Sequence, residues 1–200
     1  MEVLEAIRTR RTIHEFTPLC PPRAAILQVL EAATWAPNFW DTEPWRFHVF
    51  SGSARDELGE VLVEARLESL ARKGQDPSSP QAQARLRSER KVPLQAPVLI
   101  AVTCIPADHN PNVEPVEELE AVAIAVQNLM LAAHALGLAT KWQTAGMTTK
   151  PVVRSHFGLR EQDTLVGFIL VGYAAHTPAA RPRTPVAEKT EWRGWEGPDR

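Results

Sequence analysis

Two short arginine-rich segments near opposite ends of this 200-residue chain hold the side chains best suited to bind an anion. Arg10 and Arg11 precede Thr12 near the amino terminus, and Arg181 and Arg183 flank a proline near the carboxyl terminus. A guanidinium group binds phosphate through two parallel charge-assisted hydrogen bonds, and a threonine hydroxyl adds a neutral donor. Together these residues predict a site for one compact, doubly charged group such as a phosphate. The alternative is that Arg10 and Arg11 only cap the carboxyl end of a preceding helix.

A third segment, residues 36–47, places aromatic rings, prolines and acidic side chains in a connection between elements. Phe39 could form an apolar wall beside a planar ligand, and Asn38 could hydrogen-bond to it. For Trp40 and Trp45 we favour packing in the core or at a subunit interface, because tryptophan mostly buries apolar area.

The composition excludes several classes of protein. A net charge of −2 without a basic stripe argues against a nucleic-acid partner. Cys20 and Cys104 match no metal or redox spacing, which predicts free thiols in a reduced cytoplasm. The amino terminus lacks the basic start and apolar stretch of a signal peptide. Residues 121–138 form the most apolar run, but polar residues interrupt it, so it predicts a buried helix and no membrane partner.

The histidines show no catalytic pattern. None has a catalytic spacing to a serine or cysteine nucleophile, and we interpret four of them as loop or helix-surface residues: His109, His134, His156 and His176. Paired cysteines, HExxH and a glycine-rich phosphate loop are also missing from the sequence. We therefore predict neither an acid–base residue nor a metal site.

Hydrophobic patterning predicts one domain over residues 1–200 with an irregular order of helices and strands. We expect helices at residues 2–9, from about 23, from 54, at 116–138 and at 151–157, and strands at 46–50, 97–102, 140–144 and 165–173. This order favours an α+β fold over a doubly wound parallel sheet. The helix at 116–138 is apolar nearly all round, which indicates a second subunit against it.

The order of these segments resembles the nitroreductase family of flavin mononucleotide (FMN) enzymes over residues 7 to about 195. The likeness is carried by Arg10-Arg11-Thr12, Ala36-Pro37, Pro44-Trp45, Gln127-Asn128, Trp142-Gln143-Thr144-Ala145-Gly146 and Arg181-Pro182-Arg183. The resemblance implies a three-layer α/β/α sandwich with a mixed, mostly antiparallel sheet. It also implies an interlocked homodimer with two flavins at the interface. The tail, about 174–200, contains Trp192 and Trp195, and because an exposed coil does not usually keep such rings we expect it to pack on the partner subunit.

The same resemblance implies the cofactor contacts. They would come from Arg10, Arg11, Thr12, His14, Pro37, Asn38, Phe39, Asp41, Trp142, Gln143, Thr144, Gly146, Arg181 and Arg183. The two arginine segments and Thr12 would surround the phosphate, with Arg11 against the ribityl chain. The loop at residues 37–41 would come from the second subunit and cover the ring. Residues 142–144 would pass its N5 side, and Gly146 either allows close backbone approach or only forms a turn.

Two departures from the family bear on its chemistry. His14 stands where the family often has lysine or arginine, so stabilisation of reduced flavin becomes weaker or pH-dependent, unless His14 is only a polar loop residue. Asp41 and Glu43 replace the usual amides. A carboxylate at the flavin edge would repel the negative charge of the reduced ring and lower its potential.

The reaction implied is ping-pong hydride transfer. NAD(P)H would reduce the flavin at N5, and a small electron-poor acceptor such as a nitroaromatic or quinone would then take two electrons. Two alternatives stay open. One is a flavin-holding or ligand-sensing protein without turnover, and the other is a different flavin reaction on the same scaffold, such as dehalogenation or a step of cofactor biosynthesis.

Overall fold

The computed structural model describes residues 1–107, 112–195 and 197, so His109 and residues 196 and 198–200 of the predicted tail lie outside it. The helices are α1 (Val3–Thr9), α2 (Arg23–Thr34), α3 (Ala54–Arg72), α4 (Pro80–Lys91), α5 (Pro115–Ala135) and α6 (Pro151–His156). The strands are β1 (Trp45–Ser51), β2 (Val98–Cys104), β3 (Ala139–Gln143) and β4 (Thr164–Gly172). The predicted elements are confirmed, with ends that differ by a few residues.

The four strands form one sheet in the order β1-β2-β4-β3, and every neighbouring pair is antiparallel. Parallel pairing within the described residues is limited to an isolated bridge between Thr12 and Thr140. The expected mixed sheet is therefore antiparallel throughout its named strands. β2 and β4 lie at the centre, and both are almost entirely buried, as expected for strands covered on two faces.

Helices cover both faces of the sheet, which confirms the α+β three-layer arrangement. Along β4, Ile169 and Val171 point into a core shared with α2 and α5. Phe168 and Leu170 point into a second core, shared with α3 and α6. The alternation follows from the two-residue period of a strand, because each face of β4 has its own apolar layer.

The long helix α5 has a clear capping signal at each end. The Glu114 side chain accepts from the amide of Glu117, whose side chain accepts from the amide of Glu114, and Gly137 ends the helix with a φ of 76°. One side of α5 is buried against α2 and the sheet, whereas Val116 and Ile124 are exposed. No helix in the described ranges is both long and apolar enough to cross a bilayer.

The chain after α1 runs along the free edge of β3. The Ile13 amide donates to the Thr140 carbonyl at 3.0 Å, and the Thr17 amide donates to the Tyr173 carbonyl at 2.8 Å. These bonds hold residues 12–17 against the last strands of the sheet. The arginines that follow α1 are thereby fixed beside β3.

We predict that Gly167→Ala destabilises the protein by about 1–3 kcal/mol, because the indole of Trp142 lies directly over Gly167. A Cβ there would overlap the Trp142 ring and lie 3.1 Å from the Gln143 carbonyl oxygen. Urea unfolding measures the loss, and tryptophan fluorescence reports displacement of the ring. Thr164→Ala, at the exposed first position of β4, is the matched control. Equal stability of the two variants would contradict this packing.

Candidate functional site

Like charges meet at the carboxyl end of α1. Arg10 follows the last helical residue, and its amide donates to the Ala6 carbonyl at 2.9 Å. The pKa of the Arg10 guanidinium is lowered from its ordinary value, first by burial and then by the positive charges of Arg11 and Arg183. Arg183, near the carboxyl terminus, therefore lies close enough to Arg10 for the two charges to repel each other. A bound anion would relieve the repulsion between them.

Arg11 also contacts the end of the helix. Its Nη1 atom donates to the carbonyl oxygens of Arg8 at 2.7 Å and Arg10 at 2.8 Å. These oxygens have no partner within the helix, and they carry the negative end of its dipole. The capping interpretation thus describes Arg11 in this structure, while Arg10 faces Arg183.

Thr12 and His14 are exposed on either side of buried Ile13. In an extended segment, residues two apart lie on the same side. The Thr12 hydroxyl and the His14 ring therefore both face away from the core, just beyond the arginines. This arrangement forms a polar strip along the edge of β3.

The segment after β3 carries the next group of predicted residues. The side-chain amide nitrogen of Gln143 is buried and has no hydrogen-bond partner among the described residues. Thr144 is exposed, and its carbonyl accepts from the amide of Met147 at 3.0 Å. Ala145 and Gly146 both have a positive φ, 51° and 65°. A buried donor without a partner is costly, so this segment is suited to receive an acceptor from a ligand.

The loop at residues 37–43 is strained and holds its rings outward. Trp40, Asp41 and Glu43 all have a positive φ, 52°, 52° and 43°, a conformation that costs about 1 kcal/mol or more per non-glycine residue. The Asn38 side-chain oxygen accepts from the Glu43 amide at 3.0 Å and braces the loop. Phe39 and Trp40 are 48% and 66% exposed, and Pro37 and Asp41 are also exposed. Strain of this kind is typical of segments that contact a ligand or partner.

This loop and the arginines lie far apart within one chain. The loop leads into β1, which is one edge of the sheet. Ile105 lies just beyond the end of β2, and its amide donates to the carbonyl of Pro44. The arginines lie beside β3, the other edge, where Thr140 pairs with Val171 at the opposite end of β4. The structure therefore does not bring the two parts of the predicted site together in a single subunit.

The tail is exposed along its whole described length from Ala175 to Trp195. Arg181 lies there, two residues before Arg183, which interacts with Arg10. The rings of Trp192 and Trp195 contact each other edge to face, with centroids 5.4 Å apart, and both are mostly exposed.

Sequence reasoning missed His134, which we interpreted as a surface residue. Its Nε2 atom lies 2.8 Å from Thr9 Oγ1, and the two residues are 125 positions apart in the sequence. His134 is half-buried and electrostatically coupled to Arg10 and Arg11. No local pattern signals this contact, because it depends on how α1 packs on α5.

The comparisons with known proteins agree with this geometry. The Nitroreductase family model matches residues 7–173. A protein of Escherichia coli strain K12 with the provisional name NAD(P)H nitroreductase YdjA is 30% identical over 186 residues, 93% of each chain.

Solved structures of the same kind match nearly the whole chain. A nitroreductase-like protein from Bacillus cereus is 26% identical and superimposes with a TM-score of 0.79 over 97% of each chain. The FMN-dependent nitroreductase NfnB from Mycobacterium smegmatis, solved in complex with NADPH, is also 26% identical. It superimposes with a TM-score of 0.72 over 95% of this chain and 97% of its own. These matches agree with the sheet order and with the paired arginine segments. The chain belongs to the nitroreductase family.

Proposed function

We propose that this NAD(P)H-dependent FMN oxidoreductase reduces small electron-poor acceptors such as nitroaromatics or quinones by a ping-pong reaction. The observation that carries the proposal is the repulsion of the Arg10 charge by Arg11 and by Arg183, which lies at the other end of the chain. Such a cluster is costly unless an anion neutralises it, and FMN ends in a phosphate dianion.

The residues along the edge of β3 fit FMN. Arg10, Thr12, Arg181 and Arg183 would hold its phosphate, and Arg11 would lie nearest the ribityl chain. The buried amide nitrogen of Gln143 lacks an acceptor among the described residues, and the polar edge of a flavin offers several. When bound, FMN supplies hydride transfer from the nicotinamide and two-electron reduction of the acceptor. The chain's own residues bind and orient it.

We propose that the functional unit is a homodimer. The loop at residues 37–43 and the arginines lie at opposite edges of the sheet, which supports a site to which two chains contribute. A second chain can supply the loop, with Asn38, Phe39 and Asp41 near the ring. The apolar residues that it would cover are on α1, α5 and the tail: Val3, Leu4, Ile7, Val116, Leu119, Ile124, Val186, Trp192 and Trp195. Such a large exposed apolar surface marks an interface.

We further propose that the protein works in the reduced cytoplasm. Cys20 and Cys104 are both free thiols. Burial raises the pKa of the Cys104 thiol to about 12, so this residue stays protonated and is no nucleophile.

The proposed activity predicts a colour change that needs only purified protein. Protein loaded with FMN should be yellow and should bleach anaerobically with excess NADH or NADPH. Addition of a nitroaromatic or a quinone should restore the colour, because the acceptor takes the two electrons. Protein that stays yellow with both nucleotides would support a flavin-holding role instead, and protein that takes up no FMN would exclude both roles.

Replacement of Arg10 and Arg183 together by alanine should weaken FMN binding by about 3 to 4 kcal/mol, or roughly 10²–10³-fold, because two charge-assisted contacts are lost. Flavin fluorescence quenching measures the affinity. Riboflavin, which lacks the phosphate, should bind both proteins alike. Arg193→Ala is the matched control, since Arg193 is an exposed arginine of the tail that pairs with Glu191. Undiminished FMN affinity in the double variant would overturn the phosphate assignment.

Asp41→Asn should raise the flavin midpoint potential by about 20 mV, the equivalent of about 1 kcal/mol for a two-electron couple, because a negative charge leaves the ring's vicinity. Dye-coupled anaerobic titration measures the potential. Glu43→Gln, in the same loop, tests whether the effect is specific to Asp41.

Sedimentation equilibrium of the same sample should give the mass of two chains. An unchanged potential, or the mass of one chain with flavin bound, would argue against a loop donated by the partner.

A further inference from the structure

His134 has a hydrogen-bonding arrangement that defines which of its nitrogens carries the proton. The Thr9 hydroxyl donates its single hydrogen to the Glu5 carbonyl, at 2.7 Å. The same oxygen lies 2.8 Å from His134 Nε2, so this nitrogen must be the donor and the hydroxyl oxygen the acceptor. Neutral His134 therefore carries its proton on Nε2. Its Nδ1 atom is the one that gains a proton when the ring becomes charged.

The bond ties α5 to the last turn of α1. Thr9 is the final residue of α1, and Arg10 follows it directly. Arg11 is held by carbonyl oxygens of the same turn, those of Arg8 and Arg10. His134 therefore steadies the peptide from which the arginine cluster extends.

The charged groups that face His134 come from α1 and the residues just after it. They are Arg10 and Arg11, which disfavour a charged imidazole, and Glu5, which favours it. The pKa of His134 is lowered from its ordinary value, first by burial and then by Arg10 and Arg11, with Glu5 opposing them. At neutral pH the ring in the empty site is therefore neutral.

A phosphate dianion would change this balance. It neutralises Arg10, and its negative charge offsets the positive charge of Arg11 that also disfavours a proton on His134. We propose that His134 is a positioning residue that takes up a proton from solvent when a phosphate group binds at Arg10 and Arg183, so that proton uptake and FMN binding strengthen each other. This inference rests on the proposed function, because the phosphate in question is that of FMN.

The sign of the pH dependence follows from linkage. The pKa of His134 is low in the empty protein and higher in the complex, so binding takes up a proton at any pH between the two values. Affinity for FMN should therefore rise as the pH falls through the pKa of the complex. It should level off below the pKa of the empty protein. The second ionisation of the FMN phosphate has a pKa near 6, so loss of negative charge from the phosphate opposes this trend only at lower pH.

The test compares FMN affinity at pH 8 and pH 6.5 by fluorescence quenching in wild-type protein and His134→Gln. A glutamine amide can still donate to Thr9 but does not titrate. We expect the wild-type affinity to rise roughly fivefold more than that of the variant over this interval. Calorimetry in two buffers of different ionisation enthalpy should show fractional proton uptake only in the wild type. His156→Gln, on the opposite face of the sheet, is the control and should keep the wild-type pH dependence.

A second measurement uses only the wild-type protein, so it does not depend on how the variant folds. The NMR titration of the His134 ring should show a higher pKa with FMN bound than in the empty protein. An unmoved pKa, or identical pH dependence in wild type and His134→Gln, would overturn the inference while the FMN assignment stands. A wild-type protein that binds no FMN at either pH would overturn the proposed function and this inference with it.

Discussion

Repulsion between positive charges at the end of α1 is the constraint around which this structure is arranged. Arg10 is half-buried beside Arg11 and Arg183, and burial makes each like-charge contact stronger than it would be in water. The helix dipole compensates in part, because Arg11 occupies the carbonyl oxygens of the last turn. The repulsion that is left is the basis on which we propose that an anion binds these arginines.

The order of the strands separates the two parts of the predicted site. β1 and β3 are its two edges, and two buried strands separate them. The strained loop before β1 therefore presents Phe39 and Trp40 on one side of the subunit, while the arginines lie on the other. In the homodimer that we propose, each loop would reach the arginines of the other chain, which would give two equivalent sites. The same dimer would cover the apolar residues of α5 that are exposed in this chain, which are Val116, Leu119 and Ile124.

Much of the fold and part of the site could be predicted from the sequence. The apolar runs at β2 and β4 and the long α5 were predictable, because burial on both faces leaves an unbroken apolar signature. The prediction that the arginine segments bind phosphate comes from residue type, since few side chains bind phosphate so well. The sequence alone does not decide between helix capping and phosphate binding for Arg11, because one guanidinium group can serve either purpose.

Residue type and local periodicity were enough to predict the central strands, the long α5 and the apolar layers, and they are the source of the proposal that Arg10, Arg181 and Arg183 bind an anion. Only the tertiary structure decided that Arg183 meets Arg10, that His134 bonds to Thr9 and that the loop lies at the far edge of the sheet. Two of these relations join residues that are more than a hundred positions apart in the sequence. The third separates residues that are much nearer to each other in the sequence. All three relations arise from the packing of helices on a sheet, whose strand order no local sequence pattern encodes.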